Sequence, residues 1–232
     1  MRSSKTISAV ALLLSCAIRA LGQSAENPLS VVFLIDVSAS QERTVSSTRK
    51  AARNSLVTLL RSADQKAALI TFARSPSLKQ PLTGDLKLID SAMQTIKFEP
   101  PPGYVGGGVI VGSLPVTRQA QALGGTAVRD AIWFTFETVF IQPEKERTQA
   151  IILITDGEDT NSKRKQEEII ARAVALKVGV YAIGVGEKRW VTRNESALRA
   201  LSNRTGGIAF FPRSEKEMMD AMATIEHHLR SR

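Results

Sequence analysis

A chain of 232 residues with one cysteine and a formal charge of +9 is long enough for one well-packed core and short for two. It reads as a single domain behind a targeting segment. One cysteine cannot form an internal disulfide, so stability has to come from packing. The basic excess favours acidic partners or surfaces, but no aromatic-interleaved basic motif accompanies it, which argues against nucleic acid.

Residues 1–22 contain Arg2 and Lys5, then an apolar run over residues 7–14, then Ala20-Leu21-Gly22. That is the layout of a secretory signal peptide cleaved near Gly22. Arg19 cuts the run short of the roughly 20 apolar residues that a transmembrane helix needs, so no such helix is expected. Leu13-Leu14-Ser15-Cys16 also resembles a bacterial lipoprotein box, which keeps a lipid anchor on Cys16 open as the alternative. The expected product is exported, periplasmic or secreted, with a short linker at residues 23–29 and a domain over residues 30–232.

Within that domain, short apolar runs at residues 31–35, 67–72, 151–154, 178–183 and, more weakly, 208–211 alternate with segments of helical period. This predicts an α/β fold, a doubly wound and mostly parallel sheet flanked by helices on both faces. Val45, Ala52, Leu56, Leu59 and Leu60 mark the first helix, and a second is expected over residues 86–96. Residues 98–121, with Pro100-Pro101-Pro102-Gly103 and Gly106-Gly107-Gly108, cannot continue a helix and read as an extended surface loop. Val128, Ile132, Phe136, Val139 and Phe140 give a third helix; Ile169, Ala173 and Leu176 give a fourth. A short helix is expected at residues 197–201, and Met218, Met222, Ile225 and Leu229 form the stripe of a final one.

The chemistry gathers at strand ends. Asp36-Val37-Ser38-Ala39-Ser40 follows the first apolar run, and three hard oxygen ligands in five residues suggest a metal. Gly124-Gly125-Thr126 delivers a hydroxyl at the start of the third helix, and Asp156-Gly157 follows the run at residues 151–154. If those two strands are neighbours, as a doubly wound order makes them, Asp156 lies beside Asp36 at the switch point, where such sheets bind ligands. Each piece also has a plain structural reading. Ser38 and Gln41 are spaced as a capping box, Thr126 could be an N-cap, and Asp156-Gly157 could be a turn.

Asp36-x-Ser38-x-Ser40, Thr126 and Asp156 together resemble the metal-ion-dependent adhesion site of the von Willebrand factor type A family. The text around them, Val-Val-Phe-Leu-Ile-Asp-Val-Ser-Ala-Ser, Gly-Gly-Thr-Ala-Val-Arg-Asp-Ala-Ile and Ile-Leu-Ile-Thr-Asp-Gly-Glu-Asp-Thr, is similar to that family too, especially to its exported bacterial branch found in acidobacteria. The resemblance implies a Rossmann-like domain in which Ser38, Ser40 and Thr126 coordinate a divalent cation, with Asp36 and Asp156 acting largely through water. It implies protein binding rather than turnover, with a carboxylate of a protein partner or of an acidic cell-surface polymer completing the coordination.

Oxygen-only ligands select a hard cation. Two aspartates and three hydroxyls suit Mg²⁺ better than the cage of six to eight oxygens that Ca²⁺ prefers, while Mn²⁺ could replace it. The competing reading is a Mg²⁺-dependent phosphoryl-transfer or hydrolytic enzyme with Asp36 as nucleophile. Against it, Ser38 stands where a second carboxylate would help the leaving group, and the two histidines, His227 and His228, lie at the tail. Adjacent helical histidines point about 100° apart and cannot chelate together, so they are expected on the surface. Glu158 and Asp159 read as solvated loop acids, and Lys163-Arg164-Lys165 and Lys188-Arg189 as a basic rim.

Overall fold

The computed structural model describes residues 27–100, 103–106, 109–110, 125–186 and 188–232; the leader, with Cys16, and Gly124 lie outside them. A six-stranded sheet in the order β3-β2-β1-β6-β7-β8 forms the centre. Its strands are β1 (Leu29–Asp36), β2 (Gln65–Phe72), β3 (Pro76–Thr83), β6 (Thr148–Thr155), β7 (Val178–Gly184) and β8 (Ala209–Phe210). All neighbours pair in parallel except β3, which runs antiparallel along the edge. The helices are α1 (Val45–Leu59), α2 (Leu86–Gln94), α3 (Val128–Thr138), α4 (Gln166–Leu176), α5 (Lys188–Arg204) and α6 (Glu215–Arg230).

Alternation along β1 explains the layering. Every residue of this strand is buried, but successive side chains point to opposite faces. Val31, Phe33 and Ile35 join the core under α1, α2 and α6, while Val32 and Leu34 join the one under α3, α4 and α5. Covering a parallel sheet on both faces in this way is what requires its strands to be continuously apolar.

Three regions differ from the expectation. β3 is absent from the apolar pattern because it is half-exposed and carries Pro76 and Pro81. Proline cannot donate to a ladder and is tolerated at an edge, where Leu78 and Leu82 alone pack onto the core. α5 extends over Lys188–Arg204, not only residues 197–201. Leu198 and Leu201 anchor its last turns, and its sequence before Ala197 is mostly charged or polar, so hydrophobic period marks only the end of the helix. Within the span read as loop, β4 (Tyr104–Gly106) and β5 (Val109–Ile110) pair as a small antiparallel hairpin. The Tyr104 hydroxyl donates to Glu42 Oε2 at 2.6 Å, which ties this hairpin to the segment just after Ser40.

Candidate metal centre

β1 and β6 run side by side, with Ile35 opposite Ile154, so the residues leaving their carboxyl ends meet. Asp36 is buried and held from two directions. Its Oδ1 accepts the Ser38 amide at 2.9 Å, and its Oδ2 accepts the Thr155 hydroxyl at 2.6 Å. After Asp36 the chain turns into a short 3-10 helix, Ala39–Gln41. Ser38 occupies the N-cap position, yet its side chain makes no capping hydrogen bond. Its hydroxyl instead lies 3.2 Å from that of Ser40. The capping-box explanation is therefore not realised, and two hydroxyls face each other next to a buried carboxylate.

Asp156, also buried, begins the loop from β6 to α4. Its Oδ1 accepts the Glu158 amide at 3.0 Å, and Gly157 takes a positive φ of 79°, so the turn reading is correct as far as it goes. It does not account for Oδ2, which is buried without a hydrogen-bond partner among the described residues. Gln41 and Gly186 wall this side. Gln41 Nε2 donates to the Val185 carbonyl at 3.1 Å, and a Cβ on Gly186 would come within 2.8 Å of Asp156 Cβ.

Two buried acids in each other's field resist ionisation. Burial, and then the charge of Asp156, raise the Asp36 pKa to about 7 despite the hydrogen bonds from Ser38 and Thr155. Asp156 is also raised, chiefly by burial, and the nearby Ser40, the Glu158 amide and Gln41 soften the effect.

Thr126 sits at the entrance to α3, but the N-cap is Ala127, so Thr126 does not start the helix. Its amide donates to Thr160 Oγ1 at 3.0 Å, and its carbonyl accepts the amides of Thr160 and Asn161, each at 3.0 Å. Among the described residues only its backbone is engaged, which leaves the hydroxyl available. Asp36, Ser38, Ser40 and Asp156 are thus brought together directly, and Thr126 is held against the loop that begins with Asp156.

These residues fit a hard cation. An unpartnered buried carboxylate oxygen and two acids destabilised by one another are the arrangement that a positive charge would relieve. Among the described residues, no group of three or more His, Cys, Asp or Glu side chains could hold a metal, so a cation here would need oxygen donors besides the two carboxylates.

Several contacts differ from the sequence reading. Thr155, which orients Asp36, follows Ile154 on a strand registered with β1, so aligning the two strand ends would have found it. Asp159 is not a solvated acid; its Oδ2 accepts both the amide and the Nε of Arg129, at 3.0 and 2.8 Å. Arg164, expected on a basic rim, lies over the Trp133 ring at 4.0 Å. His228 is half-buried, with Nδ1 2.9 Å from the Tyr181 hydroxyl, and is not a free surface residue.

Family models for the von Willebrand factor type A domain match residues 31–158 and residues 115–224. The chain belongs to the von Willebrand factor type A domain family. Solved structures agree on the fold. The chain is similar to the von Willebrand factor type A protein of Catenulispora acidiphila, with a TM-score of 0.63 and 16% identity over 88% of this chain and 43% of that one. It is also similar to an aerotolerance-related membrane protein of Bacteroides fragilis, with a TM-score of 0.60 and 19% identity over 88% of this chain and all of that one. A third neighbour is proximal thread matrix protein 1 of the mussel byssus, solved with zinc in its adhesion-site motif, with a TM-score of 0.56 and 16% identity over 87% of this chain and 45% of that one.

Among curated sequences, a mouse calcium-activated chloride channel regulator, 3A-1, is 29% identical over 106 residues, 45% of this chain. The chain spans only 11% of that relative. Von Willebrand factor type A domains are protein-interaction modules, some with a metal at the adhesion site. Among the described residues, no helix is long and apolar enough to cross a membrane.

Proposed function

We propose that this chain is an exported protein-binding domain that captures an acidic group of its partner through a divalent cation, Mg²⁺ before Mn²⁺ or Ca²⁺. Ser38, Ser40 and Thr126 would hold the cation through their hydroxyls, and Asp36 and Asp156 would balance its charge. The cation would supply the open coordination position that a carboxylate on a protein or an acidic cell-surface polymer fills. The observation that carries this reading is the buried, unpartnered Oδ2 of Asp156 beside an oriented Asp36 and two facing hydroxyls.

The phosphoryl-transfer alternative draws less support. Asp36 is fully buried and already accepts from Ser38 and Thr155, a poor setting for a nucleophile. His227 and His228 sit in the last turn of α6, away from the helix end that follows the sheet's carboxyl edge.

Calorimetric titration of Mg²⁺ and Mn²⁺ into the parent and into Thr126→Ala and Asp156→Asn is the test. Saturable binding in the parent that is lost in both variants is the expected result. Binding that survives in both would remove the cation from this site, and phosphate-ester hydrolysis lost in Asp36→Asn would favour the enzyme.

A further inference from the structure

The loop after β6 contacts the turn that carries Thr126 and the first turn of α3 repeatedly. Thr160 accepts the Thr126 amide through its hydroxyl at 3.0 Å, while the Thr160 and Asn161 amides close onto the Thr126 carbonyl. One turn further, Asp159 holds the Arg129 amide and side chain, and Ser162 Oγ accepts the Asp130 amide at 3.1 Å. In the other direction, the Asp130 carboxylate accepts the amides of Lys163 and Arg164 at 3.0 to 3.1 Å. The two backbones approach so closely that a Cβ on Gly125 would meet Asn161 Cβ at 2.9 Å and Thr160 Oγ1 at 3.1 Å.

We propose that this contact is a latch that sets the position of Thr126 relative to Asp156, and that Thr160 is its central positioning residue for the cation site. The proposal rests on the cation reading above. Thr126 and Asp156 stand on segments far apart in sequence, and donor atoms have to be held within about half an ångström for a site to bind well. Asp156 opens the loop 156–165, and the same loop grips Thr126 by both backbone polar groups. Thr160 is itself exposed and packs no core, so its hydroxyl matters through the amide that it accepts.

The experiment compares Mn²⁺ titrations of the parent, Thr160→Val, Thr160→Ser and Gly125→Ala, alongside melting in EDTA and amide exchange at Thr126. Valine is nearly isosteric but removes the acceptor; serine restores it. The expected result is about tenfold weaker Mn²⁺ binding in Thr160→Val, the scale of one lost hydrogen bond. Near-parent binding is expected in Thr160→Ser, and weakened binding in Gly125→Ala, where the loops are pushed apart with no polar group removed. Exchange at the Thr126 amide should accelerate in Thr160→Val and recover in Thr160→Ser, with little change in the melting of the metal-free protein. Parent-like Mn²⁺ affinity in Thr160→Val would overturn the latch while leaving the cation site standing. No binding by the parent itself would overturn both.

Discussion

Replacing Asp36 by asparagine is expected to make the cation-free domain more stable at pH 7.5 while abolishing its response to Mg²⁺. Burial and the charge of Asp156 raise the Asp36 pKa from 3.8 to about 7. The folded state therefore binds the proton more tightly than the unfolded chain, so this contribution to stability is full below pH 3.8 and is lost as pH rises through about 7. At about 1.4 kcal/mol per pKa unit the whole effect is about 4 kcal/mol, of which about 2 to 3 kcal/mol falls between pH 5 and pH 7.5.

Asparagine stays neutral throughout and keeps the oxygen that accepts from Ser38. It loses the acceptor for Thr155, at a cost of about 1 kcal/mol. The net gain at pH 7.5 is about 2 to 3 kcal/mol, or about 5 to 10 °C in Tm for a domain of this size. Asp156, also raised by burial, adds to the parent's pH dependence in the same direction and remains in the variant.

Thermal unfolding in EDTA at pH 5 and pH 7.5 reads these differences directly. The parent should melt lower at pH 7.5, and the variant should show a smaller drop. Mg²⁺ at a hundredfold excess over Kd should return about 2.7 kcal/mol to the parent and nothing to the variant. A parent with the same Tm at both pH values, and a variant no more stable than it, would refute the claim that an ionised Asp36 is costly in the metal-free fold.

Thr155→Val removes the hydroxyl that donates to Asp36 and accepts the Gly157 amide, so it should cost about 1 to 3 kcal/mol at neutral pH; denaturant titration at two pH values should show a smaller loss at pH 5. Phe136→Ala leaves a hole at a fully buried position and should cost about 3 to 5 kcal/mol, seen as a lower denaturation midpoint with unchanged slope. Gly207→Ala would drive a Cβ to 2.0 Å from the Val180 carbonyl oxygen. Backbone cannot yield there, so loss of soluble folded protein or of β7–β8 pairing, measured by amide exchange, is expected.

The candidate site was legible from sequence to the extent that it is local. Asp36 ends a buried strand with Ser38 and Ser40 just beyond it, and Asp156 follows another, so strand periodicity located them on the same edge. The long axis of α5 and the edge strand β3 were not legible. Few apolar residues anchor the first, and prolines and half-exposure disguise the second. Which plain reading held was also undecidable from spacing alone. Ser38 stands at an N-cap position without capping, and Asp156 makes its turn with one oxygen while the other stays unpartnered.

Apolar runs and helical stripes, which are properties of neighbouring residues, determined by themselves the α/β class and the two-sided covering of the sheet. The pairing of β1 with β6, the mutual destabilisation of Asp36 and Asp156, and the grip of Thr160 on Thr126 were decided only by tertiary structure. Each depends on where separate segments meet once the core has closed, and neither period nor spacing within a segment carries that distance.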